Sequence, residues 1–345
     1  MTSPGVGESG NRLGAMSGES AGGGWRPGVR DVARAAGVSA QTVSRVINEN
    51  PNIRPETRQR VLDAMALLDY RINNAARALT TRSTHTLGIV ASDTNLFGPS
   101  AGIAALERAA REAGHWAAST YADADDPVSV VAAARRLLAQ GVDGILLVAA
   151  HEQSLRALQH EDIPVHALHH GVGAQRQAVG AGLVIDHLYA LGHRRIARIS
   201  GPRDWVESAA RERGVRDRLD AYALAPTRVW LGDWSAASGQ RLADSVVAAL
   251  RELDPPTAVA VANDQMALGV IAGLHQAGVE VPGQVSITGF DDNPDAAFYR
   301  PALTTVRLDI AGEARRLIAA ALGLQAPTPA EPELLIRASS APVPT

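Results

Sequence analysis

The sequence predicts an α/β protein: an N-terminal helix-turn-helix headpiece, then a core of two parallel-sheet subdomains. Three observations carry this. Asp31 to Asn48 reads DVARAAGVSAQTVSRVIN, two short apolar-periodic segments broken at Gly37. From Thr86 onward, short apolar runs alternate with alanine-rich helical stretches, as parallel sheets with right-handed crossovers require. The alternation occurs twice, so two similar subdomains are expected, with a ligand cleft at the carboxyl ends of their strands.

The totals agree. At 345 residues the chain is long for one domain and has ample material for a buried core. The net charge of -3 is unevenly spread, because nine arginines face five acids between Gly28 and Arg82, a local balance of +4. A basic start before an acidic remainder suits steering toward a phosphate backbone. With no cysteine there are no disulfides or thiolate metal sites, which fits a reducing compartment. No charged start leads into an apolar stretch, and no apolar run approaches about 18 residues. A cytoplasmic protein without a membrane span is therefore expected.

In chain order, residues 1–27 are rich in Gly and Ser, lack periodicity and read as a disordered tail, with Met16 a candidate start. Gly5-Val6-Gly7-Glu8-Ser9-Gly10 matches a phosphate-loop pattern, but no strand precedes it and no helix follows, so it has no scaffold. The headpiece occupies 28–72. Its first helix carries Val32, Ala33 and Ala36; its second starts at the N-cap Ser39 and carries Val43, Val46 and Ile47 on one face. Two short helices about a glycine turn form a helix-turn-helix, which lays its second helix in the DNA major groove. Ala40, Gln41, Thr42, Ser44 and Arg45, with Ser39 and Asn48 at the ends, are the candidate DNA-binding residues. Small residues permit close approach, an amide pairs with adenine, and a guanidinium suits guanine or phosphate. Pattern alone leaves open a plain helical hairpin within a larger bundle.

A third helix, opened by Pro55, carries Val61, Leu62, Met65 and Leu68 and packs against the first two. Asn73 to Leu79, within a linker at 73–85, is too short to hold a helix alone. The core at 86–338 has expected strands at Leu87–Ala91, Trp116–Thr120, Gly144–Val148 and Val165–Leu168, with helices near Ala101–Ala113, Val128–Gln140 and Gln153–Gln159. Strands resume at Arg195–Ser200, Val229–Leu231, Ala258–Ala262 and Val285–Gly289, and residues 339–345 read as a tail.

The run VSAQTVSRVIN, then Pro55-Glu56-Thr57-Arg58 and Leu68-Asp69-Tyr70-Arg71-Ile72-Asn73, resembles the headpiece of the lactose-repressor family of bacterial transcription regulators. The resemblance extends over nearly all of Thr86 to Ala338, most densely at GDWSAASG (Gly232–Gly239), VANDQMALG (Val261–Gly269) and LTTVRLD (Leu303–Asp309). It implies a repressor of double-stranded operator DNA, a homodimer reading a pseudo-palindrome, controlled by a small sugar, a galactoside or other glycoside. It implies a core like that of periplasmic sugar-binding proteins. It makes Asn73 to Leu79 a hinge helix that orders on DNA, with Leu79 wedged into the minor groove. Carried over residue by residue, it places Ser92, Arg211, Trp234, Asn263 and Asp291 around the ligand. Forked donors and acceptors with an aromatic ring suit a neutral polyol. Two departures stand out: His169 and His170 follow the fourth strand where relatives place an acid, and the stretch up to Leu191-Gly192-His193 is about six residues short, which removes most of a crossing strand.

Other readings are weaker. A hydrolase lacks its motifs, since there is no G-x-S-x-G, no Walker loop, and His151-Glu152-Gln153-Ser154-Leu155 lacks the second histidine of a zinc helix. His169, His170, His187 and His193 lack a clear carboxylate partner for a metal, so no metal and no cofactor is expected. A free-standing sugar-binding protein would need an export signal and no reading head.

Overall fold

A computed structural model describes residues 27–48, 50–71 and 83–343. The amino-terminal stretch containing Gly5 to Gly10 and the Asn73 to Leu79 segment lie outside these residues. The chain divides into two compact units, residues 1–80 and 81–345.

In the first unit, α1 (Val29–Ala36), α2 (Ala40–Ile47) and α3 (Pro55–Leu67) enclose a small core. Gly37 ends α1 at φ 65°, the left-handed backbone that glycine adopts without a Cβ penalty. The Ser39 hydroxyl caps α2 by accepting from the Thr42 N–H at 3.1 Å. Val32, Ala33, Ala36, Val43 and Val46 are buried, as their spacing requires. On α3 and its C-cap the core face is Val61 and Ala64, both buried, with Met65 and Leu68 half-buried, spaced i, i+3, i+4, i+7. Leu62, expected on that face, sits one step off it and is 45% exposed.

The second unit has two lobes of one design. In the first, β1 (Thr86–Ala91), β2 (Trp116–Tyr121), β3 (Gly144–Leu147) and β4 (Val165–Ala167) form a parallel sheet of order β2-β1-β3-β4. Alternation sends Leu87, Ile89 and Leu146 to one face, under α4 (Phe97–Glu112). Val90, Ile145 and Leu147 go to the other face, under α5 (Pro127–Ala139) and α6 (Glu152–His160). In the second lobe, β5 (Ile196–Ser200), β6 (Val229–Leu231), β7 (Ala258–Val261) and β8 (Ser286–Thr288) repeat the pattern as β6-β5-β7-β8. One face takes α7 (Val172–Ala190) and α8 (Val206–Ala221). The other takes α9 (Ala236–Ala249) and α10 (Asp264–Gln276). Helix α4 starts at Phe97 rather than near Ala101, and the other expected strands and helices fall within about two residues of those observed.

The chain crosses between lobes more than once. After β4 only residues 168–171 intervene before α7 begins in the second lobe, so the shortened stretch holds no strand. From the second lobe, β9 (Thr305–Arg307) leads into α11 (Ile310–Ala321), which packs on the first lobe through Ala314, Leu317 and Ile318. The return strand β10 (Glu333–Leu335) pairs antiparallel with β9. This two-stranded piece was not expected from the sequence.

The expected tail from 339 is corrected by the structure, since residues 339–343 line the second lobe. Ser339 is fully buried; its hydroxyl donates to the Ile287 carbonyl at 2.6 Å and accepts from the Thr304 N–H at 2.8 Å. His193 bridges Thr257 and the Ala341 carbonyl, His187 meets the Ser340 hydroxyl, and the Val343 N–H donates to Leu191. Both histidines therefore fasten the chain end, and among the described residues no cluster of His, Asp or Glu could hold a metal. Small polar residues that read as loop here complete the hydrogen bonding of the sheet edge. Ser339→Ala strands two buried backbone groups and should cost about 1–3 kcal/mol in urea unfolding; a change within about 0.5 kcal/mol, the range of an exposed site, would contradict this account.

Candidate functional site

Each lobe turns the carboxyl ends of its strands toward the other, and between them lies a cleft with about 580 Å³ of empty space, its open mouth included. That size suits a small ligand. The first lobe contributes Leu96 to Pro99 region residues, Val148 and Ala149, and the second contributes Trp205, Glu207, Arg211, Trp234, Asn263, Gln265 and Asp291. Four lining residues, Ala149, His169, Trp234 and Asp291, have φ of 57°, 61°, 71° and 112°. Left-handed backbone at non-glycine residues concentrates where tight packing holds it, often at binding sites.

Arg211 is the hub of the second lobe's wall. It stands one and a half turns into α8, and its three nitrogens donate to the Gln177 side chain, the Ala262 carbonyl and Asp291 Oδ1, the last at 2.8 Å. Its guanidinium carbon lies 3.9 Å from the centroid of the Phe290 ring, so the charge is held over a π-face as well as by a carboxylate. Asp291 nonetheless has its pKa raised, because burial outweighs the opposing charges of Arg211 and His169.

His169, noted in the sequence as replacing an acid, joins a second buried pair. Its N–H donates to Glu313 Oε1 at 2.7 Å, and its ring Nδ1 meets Glu313 Oε2 at 2.9 Å. Burial lowers the imidazole pKa, but the Glu313 charge and hydrogen bond outweigh it and leave the pKa raised. Burial likewise raises Glu313, and His169 more than reverses that, so its pKa is lowered. The two directions agree on an ionised pair. A glycine at 173 is required beside it, since a Cβ there would meet Glu313 Oε1 at 1.8 Å.

Two tryptophans make the apolar corner. Trp205 and Trp234 meet edge-to-face with centroids 5.6 Å apart. Of the ligand-binding residues expected from sequence, Arg211, Trp234, Asn263 and Asp291 all line the cleft. Asn263 does so with its amide committed: Oδ1 caps α10 at Met266, and Nδ2 donates to the Trp234 carbonyl at 2.9 Å. Ser92 follows β1 as expected and is buried, its Oγ without a hydrogen-bond partner among the described residues. Missed in the sequence were Trp205, Glu207 and Gln177. Glu207 could have been found, since it lies four residues before Arg211 on one helix and shares its face; Gln177 comes from a distant helix and carries no local signal.

In the first unit, Ala40, Gln41, Arg45 and Asn48 are exposed, and Thr42 and Ser44 are half-buried on the outer side of α2. The Ser39 hydroxyl is occupied as the helix cap and also meets the Thr42 hydroxyl at 2.9 Å. Arg58 donates to the Asn50 carbonyl and so braces the loop that follows α2.

A helix-turn-helix head and a two-lobed parallel-sheet core define a DNA-binding regulator with a periplasmic-binding-protein-like domain. The model for "Bacterial regulatory proteins, lacI family" matches residues 29–73, and that for "Periplasmic binding protein-like domain" matches 185–340. The lactose operon repressor of Escherichia coli (strain K12) is 35% identical over 288 residues, 81% of this chain and 79% of that protein. Catabolite control protein A of Priestia megaterium is 31% identical, over 84% of this chain and 91% of its own. Among solved structures, the lac repressor dimer bound to operator and the anti-inducer ONPF superposes with a TM-score of 0.75 at 29% identity, covering 92% of this chain and all of that one. The CelR–cellobiose complex gives 0.63 at 28% identity, covering 91% of this chain and all of that one. The chain belongs to the lacI family of bacterial regulatory proteins, and is a regulator, not an enzyme. Among the described residues, no helix is long and apolar enough to cross a membrane.

Asp264, at the start of α10 behind this wall, gives a pH signature. Burial, then the charge of Asp291, pushes its pKa up to about 8, against hydrogen bonds from Thr305 and Asn293 that pull it down. The folded pKa lies above the unfolded value near 3.9, so its contribution is full below about pH 4 and is lost as pH rises through about 8. Asp264→Asn does not titrate. The stability of wild type relative to Asp264→Asn should therefore fall from pH 4 to 8, by at most about 1.4 kcal/mol per pH unit, and level off above; a difference flat across that range in denaturation at several pH values would refute the assignment.

Proposed function

We propose that this chain is a transcriptional repressor that binds operator DNA through α2 and answers to a small sugar held between the core lobes. The observation that carries the reading is the cleft itself, in which buried hydrogen-bonding groups meet an apolar Trp205–Trp234 corner. Hydroxyls suit the polar wall and the apolar face of a sugar ring suits the tryptophans. Relatives supply the context: one solved relative is a dimer on operator with an anti-inducer, another carries cellobiose. On the same footing the protein acts as a homodimer on a pseudo-palindromic site, in the cytoplasm. Ser39, Ala40, Gln41, Thr42, Ser44, Arg45 and Asn48 form the reading face of the head, with Asn73 and Leu79 acting at the hinge. Ser92, Arg211, Trp234, Asn263 and Asp291 hold the sugar, Asn263 also shaping the wall as a helix cap. The domain limits proposed are a head at 28–72, a linker at 73–85 and a core from 86 that runs on through Val343.

Two measurements check this. If Gln41 reads a base edge, Gln41→Ala should lose about 1–3 kcal/mol at the cognate operator and relax one position of it; equal losses on cognate and random DNA would remove the base contact. Arg211 belongs to the core alone, so Arg211→Ala should bind operator as wild type does yet lose the response to lactose or cellobiose, whichever shifts the wild type. Coupling of this kind typically amounts to about 1–3 kcal/mol. Operator titrations in which the variant keeps the wild-type ligand response would refute the placement of the sugar.

A further inference from the structure

Glu207 is the charged group of the cleft for which the protein supplies least. It lies on α8, 6% exposed, and its Oε2 has no hydrogen-bond partner among the described residues. The cations nearest to it are engaged elsewhere: Arg211 with Asp291 at 2.8 Å and His169 with Glu313 at 2.9 Å. Arg316 stands 4.0 Å from Glu313, and the charges Glu207 feels are those of His169, Arg211 and Glu313. Burial dominates these and raises its pKa. Two more orphaned atoms line the same cleft, the Gln177 amide nitrogen and the Trp234 indole nitrogen, both on residues less than 5% exposed. One acceptor and two donors, all on residues that line this cleft, thus have no protein partner among the described residues. A buried polar atom left so costs free energy that a suitable ligand recovers.

Hydroxyl groups satisfy all three, because each donates and accepts. An anionic substituent does not. Beside the ionised Glu207 carboxylate it would set two negative charges together in a site shielded from water, or force the carboxyl to take up a proton. Arg211 does not offset this, since its charge is already paired with Asp291 and three of its five N–H groups donate within the protein, which leaves two for a neutral hydroxyl.

Resting on the sugar reading of this cleft, we propose that Glu207 is the charge-selecting residue: it accepts a hydroxyl of an uncharged saccharide and turns away uronates and sugar phosphates. Selection then comes from an unfavourable contact built against the wrong ligand as well as a favourable one for the right ligand.

The test is a thermal-shift and calorimetric panel on the full chain and on Glu207→Gln. The neutral probes are lactose, cellobiose and the p-nitrophenyl β-glucoside and β-galactoside; the anionic probes are p-nitrophenyl β-glucuronide and glucose 6-phosphate. In wild type at least one neutral probe should bind, and no anionic probe should bind within 100-fold of it. Glu207→Gln should weaken the neutral probe about tenfold and narrow the gap to the glucuronide, while the unliganded variant melts no lower than wild type at pH 7.5. Three results would overturn the proposal with the sugar reading intact: glucuronide binding wild type as well as the glucoside, unchanged neutral binding by Glu207→Gln, or a variant that melts lower, which makes Glu207 a structural partner. If no saccharide binds wild type, the sugar reading fails, and this inference fails with it.

Discussion

Parallel strands put all their carboxyl ends on one edge, and this constraint organises the core. In both lobes the strand order reverses beside the first strand, which opens a crevice at that edge. Residues just past β3, β4, β5, β6, β7 and β8 therefore converge: Val148 and Ala149, His169, Trp205, Trp234, Asn263 and Asp291. They come from places up to about 140 positions apart in the chain, between Val148 and Asp291, and no local pattern joins them. Once the two sheets face each other, the wall is composed of whatever side chains stand one to five residues beyond each strand. The left-handed backbones at His169, Trp234 and Asp291 are part of this, since a chain leaving a strand must bend sharply to enter the next helix without filling the cleft.

Buried charge in that wall is held by pairing. Arg211 and Asp291 belong to the second lobe, whereas His169 and Glu313 stand at the two crossings that lead out of β4 and into α11. Removing one member of such a pair leaves an uncompensated buried charge and costs more than the pair contributes. The pairs are thus better regarded as fixing geometry than as adding stability. His169–Glu313 pins the crossings to each other, and Arg211 spans α7, β7 and the end of β8 through its three nitrogens. Glu207 has no such ion pair among the described residues, and burial raises its pKa.

The strands were legible because each is a short apolar run between breaks, and the lobes because the run repeats. The helices of the head and their core face were legible, apart from Leu62, where adjacent apolar residues on a helix cannot both face the core. Four of five expected ligand residues line the cleft. Asn263 does so as a helix cap, and Ser92 lies buried just past β1 with its Oγ unpartnered among the described residues. The dense motifs GDWSAASG and VANDQMALG owe part of their character to packing. A Cβ at Gly239 would meet the Met266 carbonyl at 2.0 Å, and one at Gly269 the Ala236 carbonyl at 1.8 Å. Backbone contact between α9 and α10 thus demands glycine where a motif alone points to ligand. The chain end was illegible for the opposite reason: Ser339, Ser340 and Ala341 have loop composition, and only the tertiary partners Ile287 and Thr304 show what their hydrogen bonds do.

The lobes also touch directly, and the size of those contacts bears on switching. The Val206 N–H donates to Ala150 at 3.1 Å, the Glu152 N–H to Asp204 at 3.0 Å, the Phe97 N–H to Gln265 at 3.0 Å, and the Gln153 amide to Asp204 at 2.7 Å. His151 packs against Trp205 across the same seam, the rings tilted by 48° with centroids 5.1 Å apart. Each such bond contributes about 0.5–1.5 kcal/mol net where water can replace it. The seam is therefore worth a few kcal/mol, the same scale as a typical coupling energy. A ligand can reset an equilibrium only by as much as its affinities for the two states differ. A seam of tens of kcal/mol would be locked against any small molecule, and one of a few tenths would leave no defined resting arrangement. This seam lies between those limits, and the cleft-lining residues Trp205 and Glu207 stand in or beside the 204–206 turn that takes part in four of its five contacts.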